Sequence, residues 1–326
     1  MLDFHVSEIV NDMTAQSADT QKTIMQSAPI SLTEVRRLFT HTDRVQASQF
    51  LRREISARMF ERLSLIKTSP KALCDAGCGE GDDLLVLRSR FPHAVMCGVD
   101  ASQPMLVRAS QEARKTQNLI QQLAARLSGR RAVGPGNAIL ASANFAQLPL
   151  RDASVDLVWS NLALHWHPEP DRVFAEWKRV LQVDGLLMFS CFGPTTCKLL
   201  RDVFAELGHT NALLPFVDLH DLGDMLVAAG FATPVMDMEI LNITYSSIEN
   251  LFQDIRAFGG NPLLTKRKGL LGKRLWGRVN ERLEQSRQPD GKFHLSVEVI
   301  HGHAFRPVPK QRGDGTSIIR FDALRK

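Results

Sequence analysis

Apolar residues recur at two periods along this chain and divide it into helices and strands. Between Leu32 and Lys67, the residues Leu51, Ile55, Met59, Leu63 and Ile66 return every three or four positions with arginines between them, which predicts a helix; Pro70 closes it. The run Ala72-Leu73-Cys74 ends in Asp75 and predicts a strand, and Leu84-Leu85-Val86-Leu87 predicts a helix to about Phe91. Ala94 to Val99 reads as a buried strand ending at Asp100, followed by a helix from Pro104 whose pattern Leu119, Ile120, Leu123 and Leu127 extends. Ala138 to Ala143 and Val155 to Ser160 predict strands three and four. A helix carries Val173, Phe174, Trp177 and Val180, and the turn Asp184-Gly185 leads into strand five, Leu186 to Ser190. Helices over Lys198 to Leu207 and Leu219 to Ala229 precede a sixth strand, Pro234 to Tyr245. A seventh, Phe293 to Phe305, alternates Leu295, Val297 and Val299 against Ser296 and Glu298. Strands alternating with helices predict βαβ units, a mostly parallel sheet and a ligand at the carboxyl ends of its strands.

Composition narrows this picture. The 326 residues, 44% hydrophobic and 23% charged, suffice for one large domain with an appendage. No apolar run approaches the ~18–20 residues that span a bilayer. The first stretch lacks a basic region, a long apolar core and any arginine before Arg36, so neither a signal peptide nor a mitochondrial transit peptide is expected. The five cysteines form no CxxC pair and no His/Cys ligand spacing, which argues against zinc and a disulfide framework and fits a reducing cytoplasm. Charge is uneven. Residues 263–287 hold eight basic and two acidic side chains, against a net +5 for the whole chain. That segment reads either as a solvated helix face or as a landing surface for an acidic partner.

The candidate chemistry begins at Asp75. Gly77, Gly79 and Gly81 follow at alternate positions between the first strand and its helix, a turn that lets backbone approach a ligand. A dinucleotide fingerprint needs its third glycine one residue later, and a Walker loop needs Gly-Lys-Ser/Thr. The pattern Asp75-x-Gly77-x-Gly79-x-Gly81 resembles the first motif of class I S-adenosylmethionine-dependent methyltransferases. Asp100 ends the second strand, where a carboxylate can accept both ribose hydroxyls or cap the next helix. Asn144-Phe145-Ala146-Gln147-Leu148-Pro149-Leu150 resembles that family's adenine segment, with Asn144 where Asp is commoner. Ser160-Asn161-Leu162-Ala163-Leu164-His165-Trp166 stands where its methyl-transfer loop lies. Arg179 to Gly185 resembles the turn into its fifth strand.

Stretches outside these motifs carry a finer resemblance, to malonyl-acyl-carrier-protein O-methyltransferases, which open the pimelate branch of biotin synthesis. They are Val35 to Phe39, Phe50 to Ile55, Met59 to Leu63, Phe192-Gly193-Pro194-Thr195 with Lys198 and Arg201, Asp218 to Asp224, and Glu298 to Phe305. The resemblance implies a seven-stranded mixed α/β sheet with helices on both faces and a helical cap. It implies S-adenosylmethionine as cofactor, held by Asp75, Gly77, Gly79, Gly81, Asp100, Ala101, Asn144, Phe145 and Asn161. It divides the chain into a lead-in (1–31), cap helices (32–69), a core (70–245), a basic helical insertion (246–292) and a last strand with tail (293–326). The implied reaction is methylation of the free carboxylate of malonyl-acyl carrier protein by a monomer, without a metal, nucleic acid or membrane.

That carboxylate is ionised at neutral pH, so no general base is expected. An arginine should hold it as a bidentate pair, and Arg201 is the candidate. His165 and Trp166 are read as pocket wall, Trp166 equally as core packing; His220 and His303 as structural histidines or site residues. Lys266, Arg267, Lys268, Lys273 and Arg274 would meet the acidic carrier protein. The wider family neighbourhood also holds respiratory complex I assembly proteins, small-molecule methyltransferases and non-catalytic cofactor-binding scaffolds.

Overall fold

A computed structural model describes residues 28–115, 138–266 and 272–309. The predicted extension through Leu119 to Leu127, the lead-in to residue 27 and the tail from residue 310 lie outside them. Three helices come first: α1 (Leu32–Phe39), α2 (Thr42–Gln46) and α3 (Gln49–Ser64). The single helix expected here is thus divided. One break follows from Ser48, whose hydroxyl donates to the Val45 carbonyl and to the Ala257 carbonyl far along the chain, replacing helical continuity with a tertiary contact.

Then follow β1 (Ala72–Ala76), α4 (Asp82–Arg90), β2 (Val95–Asp100), α5 (Gln103–Lys115), β3 (Ile139–Ser142) and β4 (Val155–Asn161). A 3₁₀ turn spans Leu164–Trp166 before α6 (Pro170–Val180) and β5 (Leu181–Phe192). The chain continues through α7 (Lys198–Glu206), α8 (Leu219–Ala228), β6 (Ala232–Tyr245), α9 (Ile248–Ala257), α10 (Lys273–Gln285) and β7 (Phe293–Phe305). The turn predicted at Asp184-Gly185 lies inside β5; Asp184 adopts φ 62° and its N–H bonds the Arg306 carbonyl.

The seven strands run in the order β3-β2-β1-β4-β5-β7-β6. The first five are parallel, and β7 pairs antiparallel with both β5 and β6. Alternation along the strands decides which face each residue packs on. Leu73, Leu157, Trp159, Leu186 and Met188 face α3 and α4; Cys74, Val158, Leu187 and Phe189 face α6 and α8. Beyond one end of this sandwich, α7, α9 and α10 close on Tyr245, Phe293 and Leu295 as a second core. The order reverses at β1, between β2 and β4, and the crevice opens there.

A cap spans the crevice. An antiparallel bridge joins Ile30 to Leu263, Ser31 N–H donates to the Pro262 carbonyl, and Leu264 N–H donates to Pro29. The cap is tied to the sheet through Asp83, which accepts from Ser56 Oγ of α3 (2.6 Å) and from Trp159 Nε1 of β4 (2.7 Å).

Candidate active site

The crevice contains a cavity. Its floor is the turn after β1. Asp75, which precedes that turn, is absent from the cavity lining; it is 1% exposed, and its Oδ2 has no hydrogen-bond partner. Burial raises its pKa well above the usual carboxylate range, and the neighbouring Asp83 and Asp100 add to the effect. Gly77 and Gly79 line the cavity with φ of 89° and 52°; Gly81 lies outside the lining and caps α4. At Gly79 an added Cβ would meet no protein atom within 4 Å.

Asp100 lines the cavity from the end of β2. Its Oδ2 accepts the Gly79 N–H (3.0 Å) and its Oδ1 the Ser102 N–H (2.8 Å), so each oxygen keeps accepting capacity. Burial raises its pKa while these two N–H groups oppose the rise. Ala101, Phe145 and Asn161 also line the cavity. Asn161 is committed structurally: its amide donates to the Arg52 carbonyl and its oxygen accepts from Ser190 Oγ. Asn144 differs from its expected place. Its side-chain oxygen accepts the Ala146 N–H (2.9 Å), folding onto its own loop, and it is absent from the lining.

Several lining residues lie in or beside the motif stretches but are given no site role by them. Arg52, on α3, donates to the Val45 carbonyl (2.7 Å) and to Ser48 Oγ (2.8 Å), with Glu80 3.7 Å away. Glu80, within the glycine turn, is buried and held by Arg108 at 3.1 Å. Burial lowers the Arg52 pKa, and Glu80 opposes that. In the sequence Arg52 is marked by its place in the Phe50 to Ile55 stretch, beside the buried positions Leu51 and Ile55. Arg36, Phe39, Ser102 and Met105 complete the nearer walls.

Trp166 also lines a second chamber, with Phe192, Arg201, Phe216, Phe258 and Gly260. Arg201 reaches it from α7, half-buried. Its Nε donates to the Thr196 carbonyl (3.0 Å) and its Nη2 to the Leu214 carbonyl (2.5 Å), while the guanidinium carbon lies 5.4 Å from the Phe216 ring centre. Two of its five N–H groups are therefore committed to backbone. The Nε/Nη2 edge, one of those that could grip a carboxylate, is taken, and the Nη1 end remains. His165 sits behind this chamber's aromatic wall, against Trp166, Phe192 and Phe216. His220 is exposed in the first turn of α8 and lines neither chamber. His303 is half-buried on β7, edge-on to Phe305.

The basic surface is only partly free. Lys266 pairs with Glu34 (3.2 Å) and donates to the Asn261 carbonyl, so it braces the cap. Arg267 and Lys268 lie outside the described residues. Lys273 and Arg274 are exposed in the first turn of α10, where cations oppose the helix dipole, and no described carboxylate pairs with them.

Comparison with known proteins agrees with this arrangement. The family described as "Methyltransferase domain" matches residues 74–189, which run from β1 through most of β5. Two solved structures share the fold. The YcgJ protein of Bacillus subtilis has a TM-score of 0.50 and 16% identity, covering 74% of this chain and 94% of that one. A putative methyltransferase from Bacillus halodurans has a TM-score of 0.51 and 15% identity, covering 78% and 99%. Among curated proteins, the malonyl-[acyl-carrier protein] O-methyltransferase of Laribacter hongkongensis is 41% identical over 275 residues, 83% of this chain and 89% of that protein. The protein of the same name from Gallionella capsiferriformans is 40% identical, covering 84% and 90%. Such identity over most of both chains means that the chain belongs to the malonyl-[acyl-carrier protein] O-methyltransferase family.

Proposed function

We propose that this protein transfers the methyl group of S-adenosylmethionine to the free carboxylate of malonyl-acyl carrier protein, at the opening of biotin's pimelate branch in the cytoplasm. The observation that carries the reading is the pair of chambers meeting at Trp166. One is floored by glycines and carboxylates; the other is aromatic with a single guanidinium.

The first chamber fits the cofactor. The unpartnered Oδ2 of Asp75 suits its ammonium group, the spare acceptor capacity of Asp100 its ribose hydroxyls, and Phe145 with Ala101 and Met105 its adenine. Arg52, a largely buried cation in the cavity lining beside the turn, suits its carboxylate. When bound, the cofactor supplies an electrophilic methyl on a sulfonium. The second chamber then has three tasks: strip water from the acceptor carboxylate, hold it by the Nη1 end of Arg201, and aim one oxygen past Trp166. The acceptor arrives ionised, so placement and desolvation are the protein's contribution.

The test uses labelled S-adenosylmethionine with malonyl-acyl carrier protein and, separately, free malonate. Base-labile label confined to the carrier protein is expected. Label on neither overturns the reading, and equal label on both removes the carrier protein from it. Arg201→Ala should lower kcat/KM for the carrier protein about 100-fold, the loss of a charge-assisted hydrogen bond in an apolar site, with cofactor affinity unchanged. Retained activity would move the carboxylate clamp elsewhere.

Lys273 and Arg274 would steer the acidic carrier protein. Reversing both charges should depress kcat/KM strongly in low salt and weakly near 1 M, where the Debye length is about 3 Å. Equal losses at both salt concentrations would count against steering.

A further inference from the structure

The glycine turn holds an acid with one free oxygen. Glu80, between Gly79 and Gly81, is buried, and it lines the same cavity as Gly77, Gly79 and Asp100. One of its oxygens is fixed: Oε1 accepts from Arg108 Nη1 at 3.1 Å. Arg108, on α5, is itself pinned to the cap, where its Nη1 donates to Gln46 Oε1 (3.1 Å) and its Nη2 pairs with Asp43, both on α2. The other oxygen is open. Oε2 accepts no hydrogen bond among the described residues, and Arg52 Nη2 stands 3.7 Å from it, too far for one.

Arg52 is committed in the same partial way. Its Nη1 donates to the Val45 carbonyl and to Ser48 Oγ, while Nε and Nη2 donate to no described residue. These free atoms keep solvent access, on two side chains that both line the cavity. Asp100, the other acid in that lining, differs: each of its oxygens already accepts a backbone N–H. The cavity wall thus presents one anion and one cation side by side, each with bonding capacity to spare. A ligand with a single charge meets one attraction and one repulsion there. A zwitterion meets two attractions. An α-amino acid carries its ammonium and its carboxylate on one carbon, close enough together to engage both.

We propose that Glu80 Oε2 accepts the α-ammonium of the cofactor while Arg52 holds the α-carboxylate beside it. This contact rests on the S-adenosylmethionine reading above. It is a second one for the ammonium, whose three N–H donors leave room for Asp75 as well. Arg108 holds Glu80 from the cap side before the ligand arrives, so little ordering is left to binding.

The test is calorimetric and needs no methyl acceptor. It compares S-adenosylhomocysteine with its desamino analogue, which keeps the carboxylate and carries hydrogen in place of the ammonium. Wild-type protein should bind the analogue about 10- to 100-fold more weakly, the worth of a charge-assisted hydrogen bond. Glu80→Gln keeps an oxygen for Arg108 and removes the charge. It should bind S-adenosylhomocysteine at least about tenfold more weakly than wild type does. It should bind the desamino analogue as tightly as wild type or more so, because Arg52 has lost a competing anion.

Equal fold-losses on the two ligands would make Glu80 a structural residue and overturn the proposal. So would a Glu80→Gln protein that keeps the full preference for the amino ligand. If Glu80→Gln fails to fold, Glu80→Thr is read in the same way, and equal wild-type affinities for the two ligands overturn the proposal without any variant. Failure of the cofactor reading looks different: wild-type protein would bind neither ligand.

Discussion

Asp75→Asn should abolish measurable cofactor binding and, in the same protein, raise the melting temperature of the cofactor-free state. Both effects follow from one buried carboxylate with an unpartnered oxygen. Burial, with Asp83 and Asp100 nearby, raises its folded-state pKa well above the value near 3.9 of the unfolded chain. For an acid shifted upward, the folded state holds a proton that the unfolded state has released. Stability is therefore lost as pH rises from the unfolded pKa through the folded one. Asparagine carries no charge to bury and removes that penalty, so the stability gap between variant and wild type should widen from pH 5 to pH 8. The cofactor's cation, conversely, would be left without its counter-charge. Breaking a buried pair in this way costs about 3–5 kcal/mol, more than 100-fold in affinity. Calorimetric titration and thermal melts on one preparation check both halves. Unchanged affinity would remove Asp75 from the cofactor site.

Gly77→Ala and Gly79→Ala should fail in different ways, although the two glycines are one residue apart. At Gly77 the backbone has φ 89°, and a Cβ would lie 2.3 Å from the Cβ of Ala163. Left-handed strain and overpacking together cost about 2–4 kcal/mol, and the collision pushes directly on the loop after β4. A melting temperature lower by about 5–15 °C is expected, with activity lost. At Gly79 the φ of 52° is milder and the added methyl meets only the cavity. That variant should melt within a few degrees of wild type, at a conformational cost of about 1–2 kcal/mol. Its affinity for cofactor should fall at least about tenfold, because the methyl occupies ligand space beside Asp100. Similar melting temperatures for the two variants would show that Ala163 yields easily.

Legibility in the sequence follows the range over which each contact acts. The strand, glycine turn and helix around Asp75 are local, and Asp100 ends the strand paired with β1, so the motif spacing reveals them. The same holds for the alternation that sorts Leu73 from Cys74 onto opposite faces. Arg52 is different. Its place in the cavity depends on how α3 is rotated over the turn, and that is set by Asp83 bridging Ser56 and Trp159 across the chain. Periodicity identifies a helix's buried stripe but not which flanking residue overhangs a ligand. Asn144 and Lys266 illustrate the converse. Each is a plausible contact by motif or charge, yet a nearby backbone N–H claims the first and Glu34 the second. Arg201 lines the second chamber, and the carbonyls of Thr196 and Leu214 fix which of its edges is free.

The position of β7 has a consequence for how the chain is made. Among the described residues it is the last strand in sequence, yet it lies inside the sheet, and β6 pairs there with β7 alone. During synthesis from the N-terminus, the five parallel strands can assemble as each helix follows its strand. β6 then waits with both edges bare until Phe293–Phe305 leaves the ribosome, and Ile30 waits for Leu263 before the cap can latch. The glycine turn is thus formed early and roofed late. A nascent chain stalled before Phe293 would expose a fourteen-residue strand edge, the kind of surface on which chains associate and chaperones act.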